Sequence, residues 1–82
     1  MTVQFSRKAL KFINTADHNT KQRIKEGITG LLNSPPKGDI KAMQGQPSGT
    51  FRLRIGKYRI LYEFASGTLR ILNIGSRGDI YK

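Results

Sequence analysis

The chain has 82 residues, no cysteine, one histidine, and fifteen Lys and Arg against five Asp and Glu, giving a formal charge of +10 and a pI near 10.6. That length fits a single domain, residues 1–82, which buries only about 60–65% of its unfolded surface. Disulfides are excluded, and so is a zinc site built on the usual Cys and His ligands.

The charge is not a tail. Residues 1–40 carry seven basic and three acidic groups, and residues 41–82 carry eight and two. Such a field favours a polyanionic partner, nucleic acid or an acidic protein, and exceeds what solubility requires. No stretch is long and apolar enough to span a membrane, and MTVQFSRKALKF lacks an apolar signal core. The expectation is a cytoplasmic protein with no membrane partner.

Thr2 to Phe5 reads as a short strand whose place in the sheet the pattern leaves open. Ser6 is a helix N-cap, and Ala9, Leu10, Phe12, Ile13 and Ala16 form the apolar stripe of a helix running to about Ala16. Asp17 to Thr20 breaks that pattern and caps a second helix. Ile24, Ile28, Leu31 and Leu32 mark its buried face, and it stops at Asn33-Ser34 before Pro35-Pro36. Gly27 and Gly30 inside it mark close packing. Residues 34–49, with tandem prolines and little periodicity, read as a long structureless connection of functional or partner-bound character.

From Thr50 the period becomes two. Gly56-Lys57 suits a type II′ hairpin turn, which places Arg54 opposite Arg59, Leu53 opposite Ile60 and Phe51 opposite Tyr62. With Ser66-Gly67 as the next turn, Tyr62 meets Ile71 and Glu63 meets Arg70. Both assignments give one apolar face of Phe51, Leu53, Ile55, Tyr58, Ile60, Tyr62 and Phe64. The same register puts Leu61, Leu72 and Ile74 on the opposite face with Arg52, Arg54 and Arg59, and Gly75 opposite Tyr58. The expected fold class is α+β, with two N-terminal helices packed on one face of a small antiparallel sheet.

Like charges side by side on neighbouring strands destabilise a sheet. Arg54 opposite Arg59, with Arg52 on the same face, therefore fits a shared polyanion, since guanidinium forks bind phosphate bidentately. A solvated strand face with arginines extended over Leu61 and Leu72 fits the alternation equally. The C-terminal Gly75-Ser-Arg77-Gly-Asp79-Ile-Tyr81-Lys82 adds Arg77 and Tyr81 beside the turn end of that face.

The helix pair, the long connection, the run from Phe51 to Glu63 (FRLRIGKYRILYE) and the closing Ile74-Gly-Ser-Arg77 with Ile80-Tyr81 together resemble the RelE/ParE superfamily of type II toxins over nearly the whole chain. The closing Arg and Tyr resemble the RNA-cleaving RelE-like branch, while the gyrase-poisoning ParE branch generally lacks that pair. The resemblance implies a toxin that enters the ribosome, cuts mRNA and is silenced by a cognate antitoxin. It implies RNA phosphate binding by Arg52, Arg54 and Arg59, leaving-group assistance by Arg77 and general-base action by Tyr81.

The chemistry stands without the family. The RNA 2′-OH attacks its adjacent phosphate, the 5′-oxygen leaves, and a 2′,3′-cyclic phosphate results. The nucleophile is intramolecular, so no metal and no cofactor is expected. The step needs a base, charge stabilisation and help for the leaving oxygen. Free tyrosine titrates near 10, about three pH units and about 4 kcal/mol from neutrality, and clustered guanidiniums are the environment that closes that gap. The other plausible bases are Asp79, Glu63 and His18; His18 falls at a helix junction remote from the arginines, and Glu63 is neutralised by Arg70. Two other readings use the same residues: a ParE-like gyrase inhibitor without chemistry of its own, and a non-catalytic RNA- or ribosome-binding module.

Overall fold

In the computed structural model, residues 2–43 and 49–76 are described. They form β1 (Thr2–Phe5), α1 (Arg7–Thr15), α2 (His18–Leu31), β2 (Asp39–Ala42), β3 (Thr50–Ile55), β4 (Tyr58–Ala65) and β5 (Thr68–Ser76). The five strands make one sheet in the order β1-β5-β4-β3-β2. The fold class is α+β as expected, with one difference: β1 enters at an edge and runs parallel to β5. No helix among the described residues is long and apolar enough to cross a membrane.

Both helices begin after residues suited to the N-cap position. The Ser6 hydroxyl accepts from the Ala9 amide, and Asp17 occupies the N-cap position of α2. The Thr20 side chain and the amides at the start of α2 hold the Asp17 carboxyl below its ordinary value. Ala9, Ile24, Ile28 and Leu31 are buried against Leu53, Ile60, Tyr62, Leu69, Ile71 and Ile74. Gly27 suits this packing, because a Cβ there would press on the end of the Ile55 side chain, which would have to shift.

The β3–β4 hairpin has the expected register, from Ile55↔Tyr58 to Phe51↔Tyr62. Gly56 has φ +57 and Lys57 is not in the left-handed region, as a type II′ turn requires. In the β4–β5 turn both Ser66 and Gly67 have positive φ, the signature of type I′.

Two expectations are corrected. Residues 34–49 are not structureless, because Asp39–Ala42 pairs antiparallel with Phe51–Arg54 as edge strand β2. Ile40 packs against the core from that strand while Asp39 and Lys41 are exposed. The second correction lies in β5, where a β-bulge between Leu61 and Tyr62 makes Leu72 an extra residue. Ile74 therefore pairs with Ile60 inside the core, and Gly75 lies opposite Arg59 rather than Tyr58. The physical reason is plain. An unbulged register would press Asn73 against Ile60 on the apolar face. The bulge moves Asn73 opposite Leu61, and its Oδ1 accepts from the Ile74 amide at 2.9 Å.

Candidate functional site

The face of the sheet away from the helices carries the basic residues. Strands β3 and β4 place Arg54 directly across from Arg59, so their Cβ atoms stand about 4.5–5.5 Å apart. Arg52 lies two residues back along β3 on the same face, opposite Leu61. The three arginines expected to act together are thus brought together.

They are not equally free. Arg54 is half exposed, whereas Arg59 is buried, and its Nη1 donates to the carbonyls of Gly56 and Tyr58, both at 3.2 Å. Part of the Arg59 guanidinium is therefore spent on fastening the β3–β4 turn. Across from it Gly75 contributes no side chain. Arg52 is mostly covered, and its buried Nε finds no acceptor among the described residues. The alternative of a solvated face with all three arginines extended into water is not what the structure shows.

The sequence reading missed Asp39. Its carboxylate lies 2.7 Å from Arg54 Nε and 3.6 Å from Arg52 Nη2, so one acidic group bridges two of the three arginines. The signal for it was available: Asp39-Ile40-Lys41 alternates polar and apolar, the mark of a half-buried strand. That strand sets Asp39 opposite Arg54 and adds Lys41 opposite Arg52. At the far end of the face Glu63 pairs with Arg70 at 3.8 Å, as expected.

His18 is the first residue of α2 and is exposed. Among the described residues no group of three His, Cys, Asp or Glu is placed to hold a metal ion. Arg77, Asp79 and Tyr81 lie outside the described residues. β5 runs to Ser76, which lies opposite Tyr58 beside the β3–β4 turn.

Two apolar grooves lie on the other side. One, about 400 Å³, is lined by Pro36, Gly38, Ile40, Phe51, Tyr62 and Phe64, where the apolar face of the sheet extends beyond the helices. The other, about 380 Å³, runs between β1, α1 and α2, with Phe5, Leu10 and Leu32 partly exposed along it.

With this geometry in hand, comparison with known proteins is specific. No curated protein matches the sequence. Among solved structures, a chain of the RelB–RelE antitoxin–toxin complex from Methanococcus jannaschii is 28% identical, with a TM-score of 0.76 over 95% of this chain and 94% of that one. A chain of the toxin–antitoxin complex RelBE2 from Mycobacterium tuberculosis is also 28% identical, with a TM-score of 0.73 over 93% and 96%. A chain of the E. coli DinJ–YafQ complex shares the fold at 16% identity and a TM-score of 0.80, over 98% and 97%. The family of ParE toxins of type II toxin–antitoxin systems, parDE, matches residues 3–81. The chain belongs to that family, and so to the RelE/ParE superfamily of type II toxins.

Proposed function

We propose that this toxin is a ribosome-dependent endoribonuclease that cuts mRNA in the cytoplasm and is silenced by a cognate antitoxin. One observation carries the reading: β3 and β4 gather Arg52, Arg54 and Arg59 on the face that the helices leave uncovered. A phosphodiester on that face meets guanidiniums from two strands, and the single carboxylate of Asp39 offsets only one of the three positive charges gathered there.

In this mechanism Arg52 and Arg54 bind the RNA backbone, and Arg59 stabilises the charge developing on the phosphorane through donors its turn bonds do not use. Tyr81 takes the proton from the 2′-OH. The O2′–P bond forms, the P–O5′ bond breaks, and Arg77 stabilises the departing 5′-oxygen, which takes its proton from solvent water while Tyr81 returns its own to solvent. The products are a 2′,3′-cyclic phosphate and a 5′-hydroxyl. Several of the solved relatives are complexes with antitoxins, and the two apolar grooves suit amphipathic segments of such a partner.

The test is cell-free translation of a defined mRNA with wild-type protein, Tyr81→Phe and Arg77→Ala, mapping new 5′ ends by primer extension. Cuts that require ribosomes and fall at least a hundredfold in both variants are expected. Intact mRNA with normal translation would overturn the reading. The match to the ParE family favours a second one, gyrase inhibition without chemistry. In that case a supercoiling assay responds to the protein while translation does not.

A further inference from the structure

We propose that Asp39 is a tethered competitor for the RNA phosphate. Its carboxylate oxygens stand in for the non-bridging oxygens of a phosphodiester between Arg52 and Arg54, and RNA binds by displacing them. This deepens the ribonuclease reading and rests on it.

The substitution is chemically close. A carboxylate and a phosphodiester each carry one negative charge on two equivalent oxygens, and an arginine fork accepts either. The fit of Asp39 is unequal, however. It reaches Arg54 Nε at 2.7 Å but Arg52 Nη2 only at 3.6 Å, beyond hydrogen-bond length. Arg52 Nε, though buried, has no acceptor among the described residues. The internal carboxylate thus satisfies one arginine and leaves the other short. A diester centred between them supplies an oxygen to each.

Asp39 is also placed to give way. It opens β2, an edge strand with a partner on one side only, and it follows Gly38 at φ +133. Its carboxylate and the Arg54 side chain are each about half exposed, the setting in which an ion pair is weak and easily exchanged. The protein carries five acidic residues against fifteen basic ones, and one of the five sits between two phosphate-binding candidates. The bridge lowers the local charge until a stronger polyanion arrives, which disfavours weak anions and isolated phosphates more than an RNA chain engaging the whole face.

The experiment titrates full-length wild type, Asp39→Asn, Asp39→Ser and Asp39→Glu into a short, fluorescein-labelled single-stranded 2′-O-methyl RNA. This probe lacks the attacking hydroxyl and so reports binding alone. Anisotropy is read at several salt concentrations, with Arg52→Ala/Arg54→Ala made in both the wild-type and Asp39→Asn backgrounds. The neutral variants are expected to bind roughly three- to tenfold tighter at about 50 mM salt, with a log–log salt slope steeper by about 0.7. Asp39→Glu stays near wild type, and the gain disappears when both arginines are gone. Unchanged or weaker binding by both neutral variants, or a gain that survives loss of the arginines, overturns the competitor while leaving the RNA reading intact. Wild type that binds no better than Arg52→Ala/Arg54→Ala overturns the RNA reading and the competitor with it. Tighter capture of poly-glutamate than of RNA by the neutral variants shows a carboxylate site instead and also overturns the proposal.

Discussion

The Ser6 hydroxyl donates to the Leu72 carbonyl at 2.6 Å and accepts from the Ala9 amide at 3.1 Å. One side chain therefore caps α1 and also ties it to the extra residue of the β5 bulge, 66 positions away. Ser6→Ala removes both bonds, and urea denaturation is expected to show a loss of about 1–2 kcal/mol. A loss below about 0.5 kcal/mol would mean the bulge holds without the cap.

Gly27→Ala sets helix propensity against packing. In a free helix the change gains about 1 kcal/mol, but here the new methyl meets the Ile55 side chain, which also touches the core. Overpacking costs about 1–3 kcal/mol, so net destabilisation is expected. Combining it with Ile55→Val makes room and recovers much of the loss. Thermal melts of the single and double variants check this, and a melting temperature raised by Gly27→Ala alone would refute it.

Arg54 and Arg59 face each other yet separate into different roles when each is replaced. Arg54 is half exposed, so Arg54→Ala changes stability by less than about 0.5 kcal/mol. On the proposed function its effect falls on RNA cleavage, with an expected loss of ten- to a hundredfold, roughly the cost of one charge-assisted contact. Arg59→Ala removes the bonds to Gly56 and Tyr58 from a buried position and costs about 1–3 kcal/mol as well as activity. Denaturant curves run beside primer-extension assays separate the two.

Burial raises the Tyr62 hydroxyl above its ordinary value of 10.0. Above that pH the unfolded chain releases the tyrosine proton while the folded protein keeps it. The unfolded state then binds fewer protons, and stability falls as pH rises. This contribution is complete below about pH 10 and is lost through the alkaline range above it. Tyr62→Phe removes the group, so its stability should decline less between about pH 9.5 and 11.5 than that of wild type. Parallel curves for the two proteins would contradict the assignment.

Much of this was legible in the sequence where local chemistry acts alone. Ser6 starts α1, Pro35 limits α2, and the glycine turns fix the Phe51–Tyr62 and Phe64–Leu69 pairings. Two features depended on distant partners. The bulge at Leu72 is set by what Asn73 and Ile74 meet on β4, which alternation within β5 does not report. Strand β2 is four residues long and becomes a strand only because β3 offers it an edge. Missing β2 meant missing Asp39, and with it the fact that Arg52 and Arg54 are bridged. The burial of Arg59 follows from a turn that was assigned correctly, but its bonds to turn carbonyls involve side-chain directions that periodicity does not encode.

The parallel pairing of β1 with β5 gives the protein a schedule. During synthesis Thr2–Phe5 and the Ser6 cap of the first helix emerge more than sixty residues before their partners at residues 68–72. Closing so long a loop is entropically costly and comes late in folding. The nascent chain therefore waits with one edge of its sheet unfilled and the bulge not yet anchored. A complete sheet, and the basic face it supports, arises only once Thr68–Ser76 has been translated.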